Sequence, residues 1–132
     1  MKIFAAFVVA PAATSSNRTL VAATTRASDR GEAGRIGLPG GKLDMGESAY
    51  DAALREAREE GWYVEEIADV PFHTATVEGK TVAWFAAKSA RALLSYKEQG
   101  RIRPLAVSVK DVAESGYGNA AAMAAWVNLK GE

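Results

Sequence analysis

Residues 37–46 read GLPGGKLDMG, four glycines and a proline in ten positions, and no regular helix can form there. Directly afterwards residues 48–60 read SAYDAALREAREE, with no helix breaker at all. The abrupt change commits the chain to a glycine loop that runs straight into a helix. Ser48 is a natural N-cap, and Asp51 three positions on makes a capping-box pattern, so a helix is expected over residues 49–60.

That helix ends in three carboxylates, Glu56, Glu59 and Glu60. At about 100° per residue, with Glu56 at zero, Glu60 falls near 40° and Glu59 near 300°, so all three share one stripe. Tyr50, Leu54 and Ala57 form a neighbouring apolar face expected to dock on a sheet. Ala49, Ala52 and Ala53 lie on the acidic stripe and are expected to leave space above the glutamates. Such a stripe is unfavourable by itself. Like charges at i,i+4 repel by about 0.2–0.5 kcal/mol, and acids in the last turn oppose the helix dipole by about 0.3–1 kcal/mol each. Arg55 can pair with Glu59 and soften the cost. A divalent cation would reverse its sign, and all-oxygen donors suit Mg²⁺ or Mn²⁺. On the REAREE pattern alone, a solvated charged face is the competing reading.

The remainder of the chain supplies the frame. Its 132 residues fit one domain spanning residues 1–132, and 48% hydrophobic with 24% charged residues is ordinary for a globular protein. Sixteen basic and sixteen acidic side chains cancel, so no global field draws nucleic acid or an anionic membrane. There is no cysteine, which excludes a disulfide scaffold and a thiolate zinc site and suits a reducing, cytoplasmic setting. No stretch approaches the ~20 apolar residues of a membrane span. The start, MKIFAAFVVAPAAT, has features of a secretory signal, but residues 3–10 are also the best strand in the N-terminal half and are read as a buried strand. Residues 19–26 are expected to pair with it as a hairpin, and 27–37 to form a surface loop. Strands are expected at 70–76, 80–88 and 105–109, a short helix or extended segment at 90–96, a charged loop at 97–103 and a terminal helix at 119–129. The order implies a mixed sheet with helices on its faces.

The spacing Gly41-x5-Glu47-x7-Arg55-Glu56-Ala57-x-Glu59-Glu60 resembles the Nudix box, G-x5-E-x7-R-E-U-x-E-E-x-G-U, where U is bulky and apolar. The resemblance implies an α/β/α sandwich and a Mg²⁺-dependent (Mn²⁺ possible) hydrolase of a nucleoside diphosphate linked to another group. It implies Glu56, Glu59 and Glu60 as metal ligands, the Gly41 carbonyl as a further one, and an Arg55–Glu47 ion pair holding loop to helix. The catalytic set it suggests is Arg55, Glu56, Glu59 and Glu98, with Glu98 also a metal ligand; Asp111 and Glu114 are weaker acids for that role, and Glu32 is read as solvated. Arg26 and Lys42 are candidates for substrate phosphates, and Asn119 for the base or as a helix cap. Phe7, Phe72, Trp84, Phe85 and His73 are read first as structural. The compact size resembles MutT-like (d)NTP pyrophosphohydrolases, with ADP-ribose or nucleotide-sugar cleavage as the alternative and a non-catalytic nucleotide sensor as a third reading. The partner implied is a small nucleotide, with the chain a monomer or homodimer. Two positions depart from the box: Ala57 is small for U, and Trp62 stands where the family has Gly, so Gly61 is expected to end the helix instead.

Overall fold

The computed structural model describes residues 2–13, 20–26 and 35–130. Strand β1 (Ala5–Val9) is the apolar run near the start, and both its edges are occupied. It pairs in parallel with the long β7 (Lys80–Ala92) and antiparallel with the short β4 (Gly40–Lys42). The far edge of β7 carries β6 (His73–Val77) along its first half and β5 (Trp62–Ile67) along its second. A second sheet is built from β3 (Ile36–Gly37), β2 (Leu20–Arg26) and β8 (Ile102–Ser108), all antiparallel.

The expected β1–β2 hairpin does not form. With β4 and β7 on its two edges, β1 has no ladder left to offer, so β2 joins the other sheet. The two strands meet only at a corner, where Ala12 N–H donates to Leu20 O and Ala22 N–H to Ala10 O, both at 2.9 Å.

Helices cover the first sheet on both faces, as its side-chain alternation requires. Helix α1 (Ala49–Glu59) packs on β1 and β4, with Ala6, Val8, Ala53, Ala57, Trp62 and Phe85 in one core. Residues of the opposite alternation, Val9, Val82 and Trp84, join Val107, Met123 and Trp126 in a second core. That core lies under α2 (Val109–Ala113) and α3 (Asn119–Lys130). Mixed sheet and flanking helices are as expected. Residues 90–92 are extended, continuing β7, one of the two forms expected there. Beyond the hairpin, three local readings are corrected. Residues 62–67 form an unforeseen strand. Helix α2 follows a Ser108 cap that accepts from Asp111 N–H at 3.1 Å. Ala52 and Ala53 are fully buried, so they bring α1 close to the sheet rather than leave space above the glutamates. The expected loop at 27–37 lies mostly, and Glu32 wholly, outside the described residues.

Candidate active site

The site begins with the Ser48 cap, whose hydroxyl accepts from Asp51 N–H at 3.0 Å and fixes where α1 starts. About two turns on, Arg55 reaches back over the preceding loop. Its Nε and Nη2 donate to the two carboxylate oxygens of Glu47 at 2.8 and 3.0 Å, a bidentate fork. Nη2 also donates to Lys42 O at 3.1 Å, and Nη1 to Glu56 at 3.2 Å and Glu59 at 3.4 Å. Glu47 accepts in addition from Asp44 N–H at 2.8 Å. The Arg55 hydrogen bond holds the Glu47 carboxyl below the usual carboxylate range, and Glu47 in turn raises the proton affinity of Arg55. The expected loop–helix ion pair is therefore present.

The glycine loop comes down onto the acids. Gly40 N–H donates to Glu60 Oε1 at 3.1 Å. A Cβ on Gly40 would lie 2.2 Å from Ala6 O, and its φ is +149°, so this close crossing needs glycine. A Cβ on Gly41 would lie 2.7 Å from the Glu56 carboxyl carbon, so the bare Cα is what lets the two approach.

Glu60 is 8% exposed and Glu56 is half-buried. Burial is the main cause that pushes Glu60 up to about 8, opposed by Gly40 N–H and reinforced by Glu56, Glu98 and Glu59. Burial likewise raises Glu56, opposed by Arg55, with Glu59 and Glu98 adding repulsion. Four carboxylates thus share one electrostatic neighbourhood. Glu98 enters it from the loop between β7 and β8. Its N–H donates to Glu59 O at 2.8 Å, and its carboxylate accepts from Arg101 Nη1 at 2.8 Å.

The residue after the helix end is also accounted for. Gly61 takes φ +105° at the chain reversal, one position before the usual box glycine. Trp62 opens β5, is 2% exposed, and donates from Nε1 to Ala23 O at 2.8 Å, linking the helix end to the second sheet.

The other candidates are dispersed. Arg26 ends β2 opposite Ile102, on the strand that follows the Glu98 loop. The Lys42 ammonium lies 5.7 Å from the Phe4 ring centroid. Asn119 is buried on the α3 side, with Oδ1 accepting from Trp84 Nε1 at 3.2 Å and Nδ2 donating to Ser115 Oγ at 3.1 Å. Both ends of that amide serve the fold. Asp111 sits on α2 and Glu114 caps its C-terminal end, pairing with Lys110 at 2.8 Å. Trp84 and Phe85 are core, while Phe7 and His73 lie against Trp84; Phe72 packs on the second core. Sequence reasoning missed Lys97, whose ammonium stands 3.7 Å from Glu59 Oε2. Nothing periodic marks a lone loop lysine.

Among the described residues no three acidic, His or Cys side chains are placed to share one cation. Arg55 stands between Glu56 and Glu59, and Lys97 holds the second oxygen of Glu59. The donors themselves, carboxylates, are those of a hard dication, and their mutual repulsion is what such an ion relieves. The residues therefore fit the group once these cations give way.

Residues 4–126 match the NUDIX domain family. No curated protein sequence matches significantly. Among solved structures, an ADP compounds hydrolase superposes with a TM-score of 0.70 at 19% identity, over 96% of this chain and 72% of that one. A MutT structure from a study of Aliivibrio salmonicida and Vibrio cholerae gives 0.61 at 21% identity, over 86% and 85%. RenU, a Nudix hydrolase from M. smegmatis, gives 0.55 at 22% identity, over 98% and 86%.

Proposed function

Since the chain belongs to the Nudix domain family and is thus a hydrolase of phosphoric anhydrides, we propose that it is a Mg²⁺-dependent pyrophosphohydrolase. Its substrate on this reading is a nucleoside triphosphate, and its products are the monophosphate and pyrophosphate. The observation that carries the reading is the crowding of Glu56, Glu59, Glu60 and Glu98 into one neighbourhood, where Glu59 and Glu98 hinder ionisation of both Glu56 and Glu60. A hard divalent cation bound there supplies charge neutralisation at the phosphoryl oxygens and polarisation of water. Glu56, Glu59, Glu60, Glu98 and the Gly41 carbonyl would hold it. The chain's own residues do the rest. Arg55 ties the loop to the helix through Glu47 and Lys42 O, and Gly40 N–H fixes one Glu60 oxygen. Glu98, on the loop docked against the helix end, is the proposed acceptor of the water's proton. Water adds to phosphorus, the bridging P–O bond breaks, and its electron pair leaves with the pyrophosphate.

Cleavage of ADP-ribose or another nucleotide sugar is the second reading, favoured by the ADP compounds hydrolase among the structural neighbours. A panel of dNTPs, oxidised dNTPs, ADP-ribose, dinucleoside polyphosphates and NADH with Mg²⁺, products resolved by chromatography, decides between them. Release of pyrophosphate from a dNTP is the expected result, with Glu59→Gln and Glu60→Gln each slowing turnover by about 10²-fold or more. Full activity in both glutamine variants would sink the site assignment. No turnover of any compound would leave a nucleotide sensor.

A further inference from the structure

The loop between β7 and β8 is tied to the end of α1 by its backbone. Leu93 N–H donates to Gly61 O and Glu98 N–H to Glu59 O, both at 2.8 Å, and Tyr96 OH donates to Ile102 O at 2.8 Å. Two cations project from this anchored loop, Lys97 with its side chain 68% exposed and Arg101 with 75%. Each is held by an acid of the site. Lys97 stands 3.7 Å from Glu59 and Arg101 2.8 Å from Glu98. The same carboxylates cannot serve a dication and these side chains at full strength, because all compete for the same oxygen lone pairs.

We propose that Lys97 and Arg101 are exchange cations, partners of Glu59 and Glu98 in the metal-free protein and ligands of the substrate's phosphate chain once those carboxylates turn to a metal. The inference rests on the metal-site reading above and deepens it by naming what grips the phosphates. Three consequences distinguish it from ordinary surface charge. Removing a lysine that competes for Glu59 tightens metal binding in the absence of nucleotide. The same change weakens phosphate binding in its presence. Metal and phosphate then favour each other through the loop, since each removes a partner the other would have to displace.

Calorimetric titration tests this with Mn²⁺ alone and with inorganic pyrophosphate, the group every candidate substrate shares. Lys97→Ala should bind Mn²⁺ about two- to fivefold more tightly, the range of an exposed ion pair removed. It should bind pyrophosphate about three- to tenfold more weakly when Mn²⁺ is present, the loss of one charge-assisted contact. Arg101→Ala should change both in the same directions, and Lys97→Arg should restore pyrophosphate binding. Arg58→Ala, on the exposed opposite side of α1, should change neither. Unaltered pyrophosphate affinity in Lys97→Ala with Mn²⁺ binding intact overturns the proposal. So does an equal loss in Arg58→Ala, or a loss of the same size without Mn²⁺. Failure of the unmodified protein to bind Mn²⁺ would instead remove the metal-site reading itself.

Discussion

Glu60 holds its proton more tightly in the fold than in the unfolded chain, its pKa rising from 4.5 to about 8 chiefly through burial. The sign of the consequence follows from linkage. Below about pH 4.5 both states are protonated and the contribution to stability is fully present. Between there and about pH 8 the unfolded chain has released the proton while the folded one keeps it, so stability falls as pH rises, and above about pH 8 the fall ends. Glu56 is shifted in the same direction, whereas Glu47, held low by Arg55, has the opposite sign. With a chelator present, the melting temperature should therefore decline from pH 5 to pH 8, and Glu60→Gln should flatten that slope. A slope unchanged in the variant would place its origin in another group. In sequence, Glu60 is one of three acids on a stripe; only the fold reveals that it alone is sealed under Gly40.

At the scale of elements, the junction between α1 and β5 couples a glycine turn to a buried side-chain anchor. Gly61 supplies the positive φ, and a Cβ there would meet Pro104 at 3.0 Å and Tyr96 at 3.3 Å. Gly61→Ala should cost about 1–3 kcal/mol. Trp62→Phe keeps most of the volume but removes the indole N–H bond to Ala23 O, and should cost about 0.5–1.5 kcal/mol. Urea denaturation measures both, and a neutral Trp62→Phe would show that the indole N–H contributes nothing. The capped helix and its acidic stripe were legible from local spacing, and the Glu47–Arg55 fork from the resemblance to the Nudix box. Strand β5 was not. Its Glu65 and Glu66 look like a solvated turn in the sequence, while what makes it a strand is pairing with the second half of β7. The β1–β2 hairpin failed for a related reason, since adjacency in sequence cannot show that β4 and β7 already occupy both edges of β1. Lys97 was illegible because its partner, Glu59, is brought to it only by the docking of its loop.

Across the whole molecule, the site is a seam: its residues come from β4, the loop before α1, α1 itself and the β7–β8 loop. A cation that joins such pieces stabilises all of them. At about 100-fold excess over its dissociation constant it should add about 2.7 kcal/mol to the unfolding free energy. A rise in melting temperature with Mn²⁺ that Glu56→Gln abolishes would fit this; equal rises in both proteins would put the ion elsewhere. The ladder of β1 carries a different consequence, one of time. Ala6 sits between Gly41 on one edge and Ala83 on the other, so three distant stretches of chain must meet before β1 is complete. Such non-local and partly parallel pairing is closed late, because the entropy of the intervening loops is lost before the contacts reward it. The short strand that carries Gly41 is fixed only when that meeting occurs. The active site is therefore expected to close late in folding, and a chain stalled before that step would carry the glutamates without the glycine that completes them.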